Sequence, residues 1–395
     1  MGVLMTYNKE NIRMVNWDDY RKLFPVVNNR TYFMTAGAGA IPGPVLNAIV
    51  GQYEEVSKRG GAVFGENLAI VEECRKKLAR LINADKEDIA FIPSVSYGMN
   101  ALAHSMKKNE IFFTLANEFP STLLPIKNSG RLIKEISQDG DRQSNLIKFL
   151  EQTQSDNSSL VVSMVSYMDG YRLDLNEIAK FKKFSRLLIN GTQAIGAFPI
   201  DVKEQKIDAL ICSCYKWMCC GEGLSFLYIH PDFFKELKPA LVGWRSTQHS
   251  MSFSKDEPLF FDDARVFELG WDNMTIFSGF REALTMIESI GINNIAQRIN
   301  YLSSEMMKRL SELNIPIITK PDPEHLSGII LIGPFEDIGE IVSSLEENNI
   351  WVNPRRNAIR VSLHFYNNEE DINKLSNSLE KILKLNHIKH ARVVL

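Results

Sequence analysis

The most informative segment of this 395-residue chain is residues 209–229, which read ALICSCYKWMCCGEGLSFLYI. Two short apolar runs, Ala209 to Cys212 and Leu224 to Ile229, have the length and composition of buried β-strands. The turn between them is rich in small residues and carries one lysine, Lys216. Burial disfavours a charged amine, so a lysine in a dry turn is readily deprotonated. The sequence therefore predicts that Lys216 is a nucleophilic amine and not a solvated surface lysine.

Polar side chains follow the strand that precedes this segment. The run RLLIN, Arg186 to Asn190, is an apolar strand that ends in an amide, and Gln193 comes three residues later. Open α/β sheets bind ligands with side chains that lie just beyond the carboxyl ends of their strands. The position of Asn190 and Gln193 therefore indicates a ligand site.

From the strand at Arg186 to Lys216 the chain resembles the class V aminotransferase family of pyridoxal 5'-phosphate (PLP) enzymes. That family also includes cysteine desulfurases, kynureninase and isopenicillin N epimerase-like proteins. Its pattern is a strand, then Asp-x-x-Gln, then Gly, Pro and Asp-Val, and finally Ser-x-His-Lys. The matching residues here, in the same order, are Asn190, Gln193, Gly196, Pro199, Asp201, Val202, Ser213, Tyr215 and Lys216. The whole combination is far more specific than a single Ser-x-x-Lys.

Other segments agree with this resemblance. FIPSVSYGMNALA, residues 91–103, resembles the family's phosphate loop, in which Ser96 and Tyr97 occupy the positions that bind phosphate at a helix N-terminus. NEFPSTLLP, residues 117–125, resembles the segment that stacks an aromatic side chain on the cofactor ring, here Phe119. Taken alone, these segments are also explained by helix capping and by a core phenylalanine.

The segment PRRNAIRVSLHFYNNEEDI, residues 354–372, matches the family pattern Arg-x-Ser-x-His-x-Tyr-Asn. The resemblance implies that Arg360 binds the substrate carboxylate, and a planar guanidinium suits that role. Arg355 is the next candidate for this carboxylate. The alternative for Arg360 is an ordinary surface ion pair.

The resemblance also implies a role for each site residue. Lys216 would form an aldimine with PLP and move the Cα proton of an amino substrate as general base and acid. Gln193 would hydrogen-bond the ring oxygen, and Phe119 would cover one face of the ring. Ser213 and Tyr215 would contact the phosphate or the aldimine.

Two departures from the family pattern bear on the chemistry. Asn190 stands where the family has an aspartate that keeps the pyridine nitrogen protonated, and a neutral amide cannot do that. We therefore expect a weaker electron sink, slower transamination, and more room for elimination or racemisation. In FELGWDN, Trp271 replaces the threonine that reaches the partner subunit's phosphate in the family. The indole has only its N–H to donate to that phosphate.

Helix and strand signals alternate through the middle of the chain, which predicts an α/β protein. With the resemblance, this implies the PLP-dependent transferase fold type I. A large PLP-binding domain with a seven-stranded, mostly parallel sheet would span residues 31–285, and a smaller α+β domain would span 286–395. Residues 1–30 would form an N-terminal segment packed with the small domain. The seven predicted strands are 89–93, 111–114, 132–136, 160–165, 186–190, 209–212 and 224–229.

Net charge and cysteine spacing indicate which partners and metals the protein is not expected to bind. A net charge of −3 gives no reason to expect nucleic acid or an anionic membrane as partner. Four of the five cysteines surround Lys216 in a spacing that matches no zinc signature, so we expect no metal and interpret them as small apolar filling. Without a secretory signal, we expect a cytoplasmic protein with reduced thiols.

The resemblance adds a homodimer with the site at the subunit interface, where Gly243, Trp244 and Arg245 and the turn at Gly270 and Trp271 are candidate contacts.

The leading functional expectation is a PLP-dependent aminotransferase that acts on a small amino acid or keto acid. A PLP-dependent lyase of the kynureninase type and an amino-acid epimerase are the alternatives. Cysteine desulfuration is not expected, because residues 347–360 contain no cysteine before Arg360. A non-catalytic binding protein that kept the fold is a further alternative, which the intact Lys216 and Arg360 disfavour.

Overall fold

The computed structural model describes residues 15–137, 141–153, 155–181, 184–252, 257–270, 273–320 and 322–393. The chain divides into two compact units. The central unit comprises Pro44–Met164 and Leu173–Ser289. The C-terminal unit comprises the described part of Met1–Gly43 together with Val165–Arg172 and Ile290–Leu395.

The secondary structure alternates along the chain as the sequence predicts. The strands are β1 (Thr31–Tyr32), β2 (Ile89–Ile92), β3 (Ile111–Leu115), β4 (Leu132–Ile136), β5 (Ser155–Ser163), β6 (Phe184–Asn190), β7 (Ala209–Ser213), β8 (Ser225–Ile229), β9 (Ile329–Ile332), β10 (Ile350–Trp351), β11 (Asn353–Arg355) and β12 (Ala358–Ser362). The helices are α1 (Trp17–Arg21), α2 (Val26–Asn29), α3 (Gly43–Arg59), α4 (Phe64–Ile82), α5 (Val95–Ser105), α6 (Pro120–Asn128), α7 (Arg142–Gln152), α8 (Leu175–Lys180), α9 (Pro231–Phe234), α10 (Ile276–Ile290), α11 (Ile292–Glu312), α12 (Ile338–Glu347) and α13 (Glu369–Val393).

The central unit is built on a seven-stranded sheet in the order β2-β8-β7-β6-β5-β3-β4. Strand β8 runs antiparallel to both of its neighbours, and the other pairs are parallel. Strands such as β7 and β8 are almost wholly buried, which is why they read as continuous apolar runs. The prediction of a seven-stranded, mostly parallel sheet is confirmed.

Strand β5 is the main departure from the predicted strand bounds. It begins at Ser155, five residues before the predicted start, and its pairing with β6 is irregular between Ser155 and Ser159. The added residues are polar, whereas the prediction relied on apolar runs. Backbone pairing with β6 needs no apolar side chain, so this extension leaves no hydrophobic signal.

The C-terminal unit contains a three-stranded antiparallel sheet in the order β11-β12-β9. Its core includes Ile359 and Val361, which alternate along β12 with Arg360 and Ser362. Successive side chains of a strand point to opposite faces, so the polar residues of β12 lie on the face away from this core. One face of the small sheet is therefore apolar and the other carries charge and hydroxyl groups.

The N-terminal part of the chain belongs to this C-terminal unit. Strand β1 pairs in parallel with β10, and the Arg21 guanidinium makes an ion pair of 2.7 Å with the buried carboxylate of Asp371. The same Arg21 also donates to the carbonyl of Tyr366 at 2.6 Å. These bonds connect α1 to the start of α13 and to the residues just before it.

None of the helices in the described ranges combines the length and apolarity needed to cross a bilayer.

Candidate active site

The parallel strands of the central unit end at one edge of the sheet. Strands β2, β3, β5, β6 and β7 run in the same direction, so the residues that follow them share that edge. Those residues include Phe119, Asn190 and Lys216. Sequence analysis singled out all three, and the topology of the sheet explains why they belong to one site.

Lys216 lies in the turn after β7 and is 7 % exposed. Its Nζ is 5.5 Å from the centre of the Phe119 ring and 5.7 Å from that of the Tyr215 ring. Tyr215 is half-buried, and burial together with the charge of Glu222 raises the pKa of its hydroxyl. The amine is thus enclosed by aromatic faces, as a lysine with a chemical role requires.

The Lys216 turn packs tightly against the loop that follows β6. Gly196 has a φ of +94°, and a Cβ built on it would lie 2.5 Å from the carbonyl oxygen of Trp217. The indole N–H of Trp217 also donates to Oε1 of Gln193 at 2.7 Å. This bond holds the carbonyl of the Gln193 amide, so the orientation of that side chain is set by the lysine turn.

Asn190 is buried, and both ends of its amide are bonded. Its Oδ1 accepts the backbone N–H of Thr192 at 3.0 Å, and its Nδ2 donates to Oγ1 of Thr122 at 2.8 Å. The Thr192 hydroxyl in turn accepts the N–H of Ser213 at 3.2 Å. Because a backbone N–H can only donate, it fixes which end of the Asn190 amide is the oxygen.

Helix α5 begins directly after β2 and exposes its first turn. Ser94 caps the helix, and its hydroxyl accepts the N–H of Tyr97 at 3.1 Å, so that N–H is already used within the cap. The exposed Ser96 hydroxyl donates to Ser121 of α6 at 2.9 Å. Sequence analysis missed Ser94, although a serine just before a helix is a standard capping signal. We add Ser94 to the phosphate-site candidates.

Glu118 is a second residue that sequence analysis missed. Its carboxylate accepts the N–H of Phe119 at 2.7 Å and the N–H of Ser163 at 2.6 Å, and it also bonds the Ser163 hydroxyl. It thereby ties the Phe119 loop to the carboxyl end of β5. Burial raises the pKa of this carboxyl group. No local sequence signal distinguishes such an acid from a solvated one.

Arg360 and Arg355 belong to the C-terminal unit. Arg360 is 1 % exposed and donates to the backbone oxygen of Tyr167 at 2.7 Å and to Oδ1 of Asn353 at 3.2 Å. Its Nε has no hydrogen-bond partner. Burial and the nearby charge of Arg355 lower the pKa of Arg360. A buried guanidinium with an unused donor is suited to a carboxylate.

Trp271 lies outside the described residues, whereas the residues that precede it, up to Gly270, are described. Gly243 packs so closely on Leu269 that a Cβ would lie 1.9 Å from the Leu269 carbonyl oxygen. Arg245 approaches the carboxylate of Glu268 at 3.9 Å. The two segments that sequence analysis named as partner contacts are therefore adjacent in the central unit.

The cysteines around Lys216 are buried, free thiols. Burial raises the pKa of Cys212, Cys214 and Cys219. Thiolates are the nucleophilic form of cysteine, so these residues remain unreactive thiols that fill space. Within the described ranges, no group of three or more His, Cys, Asp or Glu side chains is arranged to hold a metal ion.

Comparison with known proteins shows the family. Residues 31–375 match the family model described as aminotransferase class-V. An "uncharacterized aminotransferase YcbU" of Bacillus subtilis is 25% identical over 90% of this chain and 95% of its own length. A "probable cysteine desulfurase" of Pyrococcus abyssi is 27% identical over 93% of this chain and 98% of its own length.

Solved structures share the fold. The apo cysteine desulfurase of Thermococcus onnurineus superposes with a TM-score of 0.82 at 22% identity, covering 93% of this chain and 98% of its own. The chain therefore belongs to the class V aminotransferase family, and its cofactor is PLP.

The residues of the site fit that cofactor. The enclosed amine of Lys216 suits the aldehyde, the open first turn of α5 with Ser94 and Ser96 suits the phosphate, and Phe119 offers an aromatic face. Asn190 and Gln193 add two buried amides to the end of β6 and the loop after it, a type of group that can bond the polar atoms of a pyridine ring. The site thus contains each type of group that binding PLP requires.

The Asn190–Thr122 bond generates a stability prediction. Thr122→Val removes the hydroxyl but keeps the shape, so the buried Asn190 Nδ2 loses its acceptor. We expect the free energy of unfolding to fall by about 1–3 kcal/mol, measured by urea denaturation. Thr122→Ser keeps the hydroxyl and should lose only about 1 kcal/mol for the missing methyl group. Equal losses in the two variants would contradict a role for this bond.

Proposed function

We propose that this protein is a PLP-dependent enzyme that acts on a small amino acid through Lys216. The observation that supports this most directly is the buried amine of Lys216, 5.5 Å from the Phe119 ring centre and next to the amide-bearing loop of Asn190 and Gln193. An enclosed lysine amine beside an aromatic face has little structural use. It is what a covalently held aldehyde cofactor needs.

Each residue has a proposed task. PLP, when bound, withdraws electrons from the Cα of an amino acid. The Lys216 amine would hold the cofactor and, once the substrate amine has displaced it, would accept and return the Cα proton. Phe119 covers one ring face and excludes water there. The α5 N-terminus with Ser94, Ser96 and Tyr97 holds the phosphate.

The remaining residues orient the ring and the substrate. Asn190 would face the ring nitrogen as a neutral amide, and Gln193 would bond the ring oxygen with the amide that Trp217 holds in place. Ser213 and Tyr215 line the lysine turn. Trp271 remains a candidate phosphate contact across the subunit interface. Arg360 binds the substrate carboxylate.

Aminotransfer is the activity that we propose first. The relative named an aminotransferase supports it over nearly the full length of both chains. A PLP-dependent lyase is the second candidate, and Asn190 is the observation that favours it. A neutral amide stabilises a protonated ring nitrogen less than a carboxylate does. The ring therefore withdraws electrons from Cα less strongly, and transamination relies on that withdrawal. Inversion at Cα is the remaining outcome that an amino-acid panel would detect.

Desulfuration through a cysteine nucleophile is not part of this proposal. Relatives named probable cysteine desulfurases are as similar as the aminotransferase relative. The hairpin of β11 and β12, however, contains no cysteine, and all five cysteines of the chain lie buried in the central unit. A lyase activity of this chain would therefore act without a cysteine persulfide.

We also propose a homodimer with the active site at the subunit interface. The segment 241–260 of the central unit exposes several large apolar side chains: Leu241, Val242, Trp244, Met251, Leu259 and Phe260. An apolar surface of this kind is typical of a protein interface. A second copy of the chain is the occupant that the family relationship favours.

The free state of all five thiols supports a reducing compartment, the cytoplasm.

Covalent attachment of PLP tests the central proposal. The purified protein with added PLP should show a visible absorption band that borohydride abolishes, with the label on the peptide that contains Lys216. Lys216→Ala should lack both the band and the label. Lys203→Ala, which removes a solvent-exposed lysine, should keep both. A labelled peptide from another part of the chain would refute the assignment of Lys216.

The amide of Asn190 can be tested by an isosteric substitution. Asn190→Asp can still accept the Thr192 N–H and can accept the Thr122 hydroxyl, so the fold should persist. Each unit by which the carboxylate raises the pKa of the ring nitrogen contributes about 1.4 kcal/mol, so the half-transamination rate should rise roughly tenfold. The absorption maximum of bound PLP should shift as well.

Asn176→Asp adds the same charge at an exposed position and should change neither the rate nor the spectrum. If Asn190→Asp leaves both quantities as they are in the wild type, the amide does not limit transamination.

The dimer is tested with two matched leucines. Leu259 is 55 % exposed in segment 241–260, and Leu132 is 54 % exposed on the edge strand β4. The wild-type mass from light scattering should be twice the 44.9 kDa of one chain. Leu259→Glu should lower it to one chain by placing a charge in the apolar interface, while Leu132→Glu should not. A monomeric wild type at micromolar concentration would end this proposal.

A further inference from the structure

The small sheet of the C-terminal unit has a polar face with unmet bonding capacity. Strand register pairs Asn353 with Arg360 and Arg355 with Ala358, so Asn353, Arg355, Arg360 and Ser362 lie on the same face. The opposite face supplies Ile359 and Val361 to the core. Arg355 and Arg360 therefore lie on the face opposite Ile359 and Val361, together with the buried side chains of Leu331 and Ile329.

Arg360 and Ser362 contain buried polar atoms without partners. The Nε of Arg360 and the Oγ of Ser362 make no hydrogen bond. A buried polar group without a partner costs about 1–3 kcal/mol, so a ligand that bonds these two atoms recovers that cost. Both atoms can donate to an anion, which makes this part of the face suited to one carboxylate.

Arg355 supplies a second, separate donor group. It is half-buried and donates to the carbonyl of the neighbouring Pro354 at 2.7 Å. Burial lowers the pKa of Arg355. Two donors of Arg360 are already bonded to the Tyr167 carbonyl and to Asn353, and its Nε with the Ser362 hydroxyl can bind one carboxylate. The Arg355 guanidinium is not needed for that carboxylate.

The charge of this pair is not compensated locally. In the part of the chain that the structure describes, no Asp or Glu side chain makes an ion pair with either guanidinium, and the two repel each other. Two other arginines of this unit do have carboxylates: Arg21 has Asp371 and Arg298 has Glu369. A buried Arg360 cation without a counter-ion, with the half-buried Arg355 cation nearby, favours binding of an anion from outside the protein.

We propose that Arg355 and Arg360 form a two-anion subsite that selects an amino acid with an acidic side chain. Arg360 with Ser362 takes the α-carboxylate, and Arg355 takes the side-chain anion. This proposal rests on the proposed function, because it names the substrate class of the same enzyme. It adds a role for Arg355 that one carboxylate does not need.

The experiment uses unreactive diacids and their monoamides on the PLP-loaded protein. Succinate and succinamate have the same shape but differ by one negative charge, as do glutarate and its monoamide. Binding is measured by calorimetry. The better diacid should bind roughly 10- to 100-fold more tightly than its amide, because a hydrogen bond to a charged group contributes that much.

Variants separate the two arginines. Arg355→Gln should reduce the diacid preference to within about threefold and leave monoamide binding unchanged, because only the second charge loses its partner. Arg360→Gln should weaken both ligands. Arg355→Lys keeps the charge without the planar fork and should give an intermediate preference. In steady-state assays, Arg355→Gln should raise KM for aspartate or glutamate but not for asparagine or glutamine.

Arg356→Gln is the matched control. Arg356 is the adjacent, exposed residue of the same hairpin, so this variant removes the same charge outside the proposed subsite. It should behave as the wild type. The melting temperature of each variant verifies that it is folded before binding is compared.

Two results would overturn the subsite. One is equal binding of both diacids and their monoamides to the wild type, and the other is an Arg356→Gln effect as large as that of Arg355→Gln. Borohydride labelling of Lys216 in the same preparation separates this failure from failure of the proposed function. Labelled protein without diacid preference refutes the subsite alone, whereas unlabelled protein refutes the PLP enzyme itself.

Discussion

The close approach of Gly196 to the carbonyl of Trp217 is the constraint on which the active site depends. A φ of +94° and a distance of 2.5 Å from a hypothetical Cβ to that oxygen leave room only for glycine. The approach joins the loop after β6 to the turn after β7. As a consequence, the Trp217 indole reaches Gln193, and the amides of the first loop are held beside the lysine of the second. The two loops of the site are therefore held together by backbone packing at Gly196 and by the bond between Trp217 and Gln193.

The charges of the molecule are distributed unevenly around the reaction. Asn190 replaces the carboxylate of the family with a neutral amide whose two ends are bonded to Thr122 and Thr192. The five cysteines are buried, free thiols. The two arginines that we propose for substrate binding, Arg355 and Arg360, lie in the other unit. Under this proposal, the substrate is bound through positive charge, whereas the cofactor ring receives little electrostatic support from Asn190.

The sequence predicted most of the sheet, because strands buried on both faces are apolar without interruption. It missed the polar start of β5, where backbone pairing alone extends the strand. It identified Lys216 and Asn190 from their position at strand ends, and Phe119 from the family resemblance. It missed Ser94, although a serine just before a helix is a capping signal, and it missed Glu118 because the partners of that carboxylate are distant in sequence. The side-chain types were visible, and their environments were not.

The sequence by itself determined the class of the protein: the α/β alternation, the lysine turn and the C-terminal arginine motif are all local patterns. Only the tertiary structure decided which groups bond to each other. Thr122 and Asn190 are 68 residues apart, and Glu118 and Ser163 are 45 apart, yet these pairs share hydrogen bonds. The partnerless donors of Arg360 and Ser362 are likewise a property of the folded chain. The physical reason is that periodicity and residue type are carried along the chain, whereas hydrogen-bond satisfaction depends on packing between distant segments.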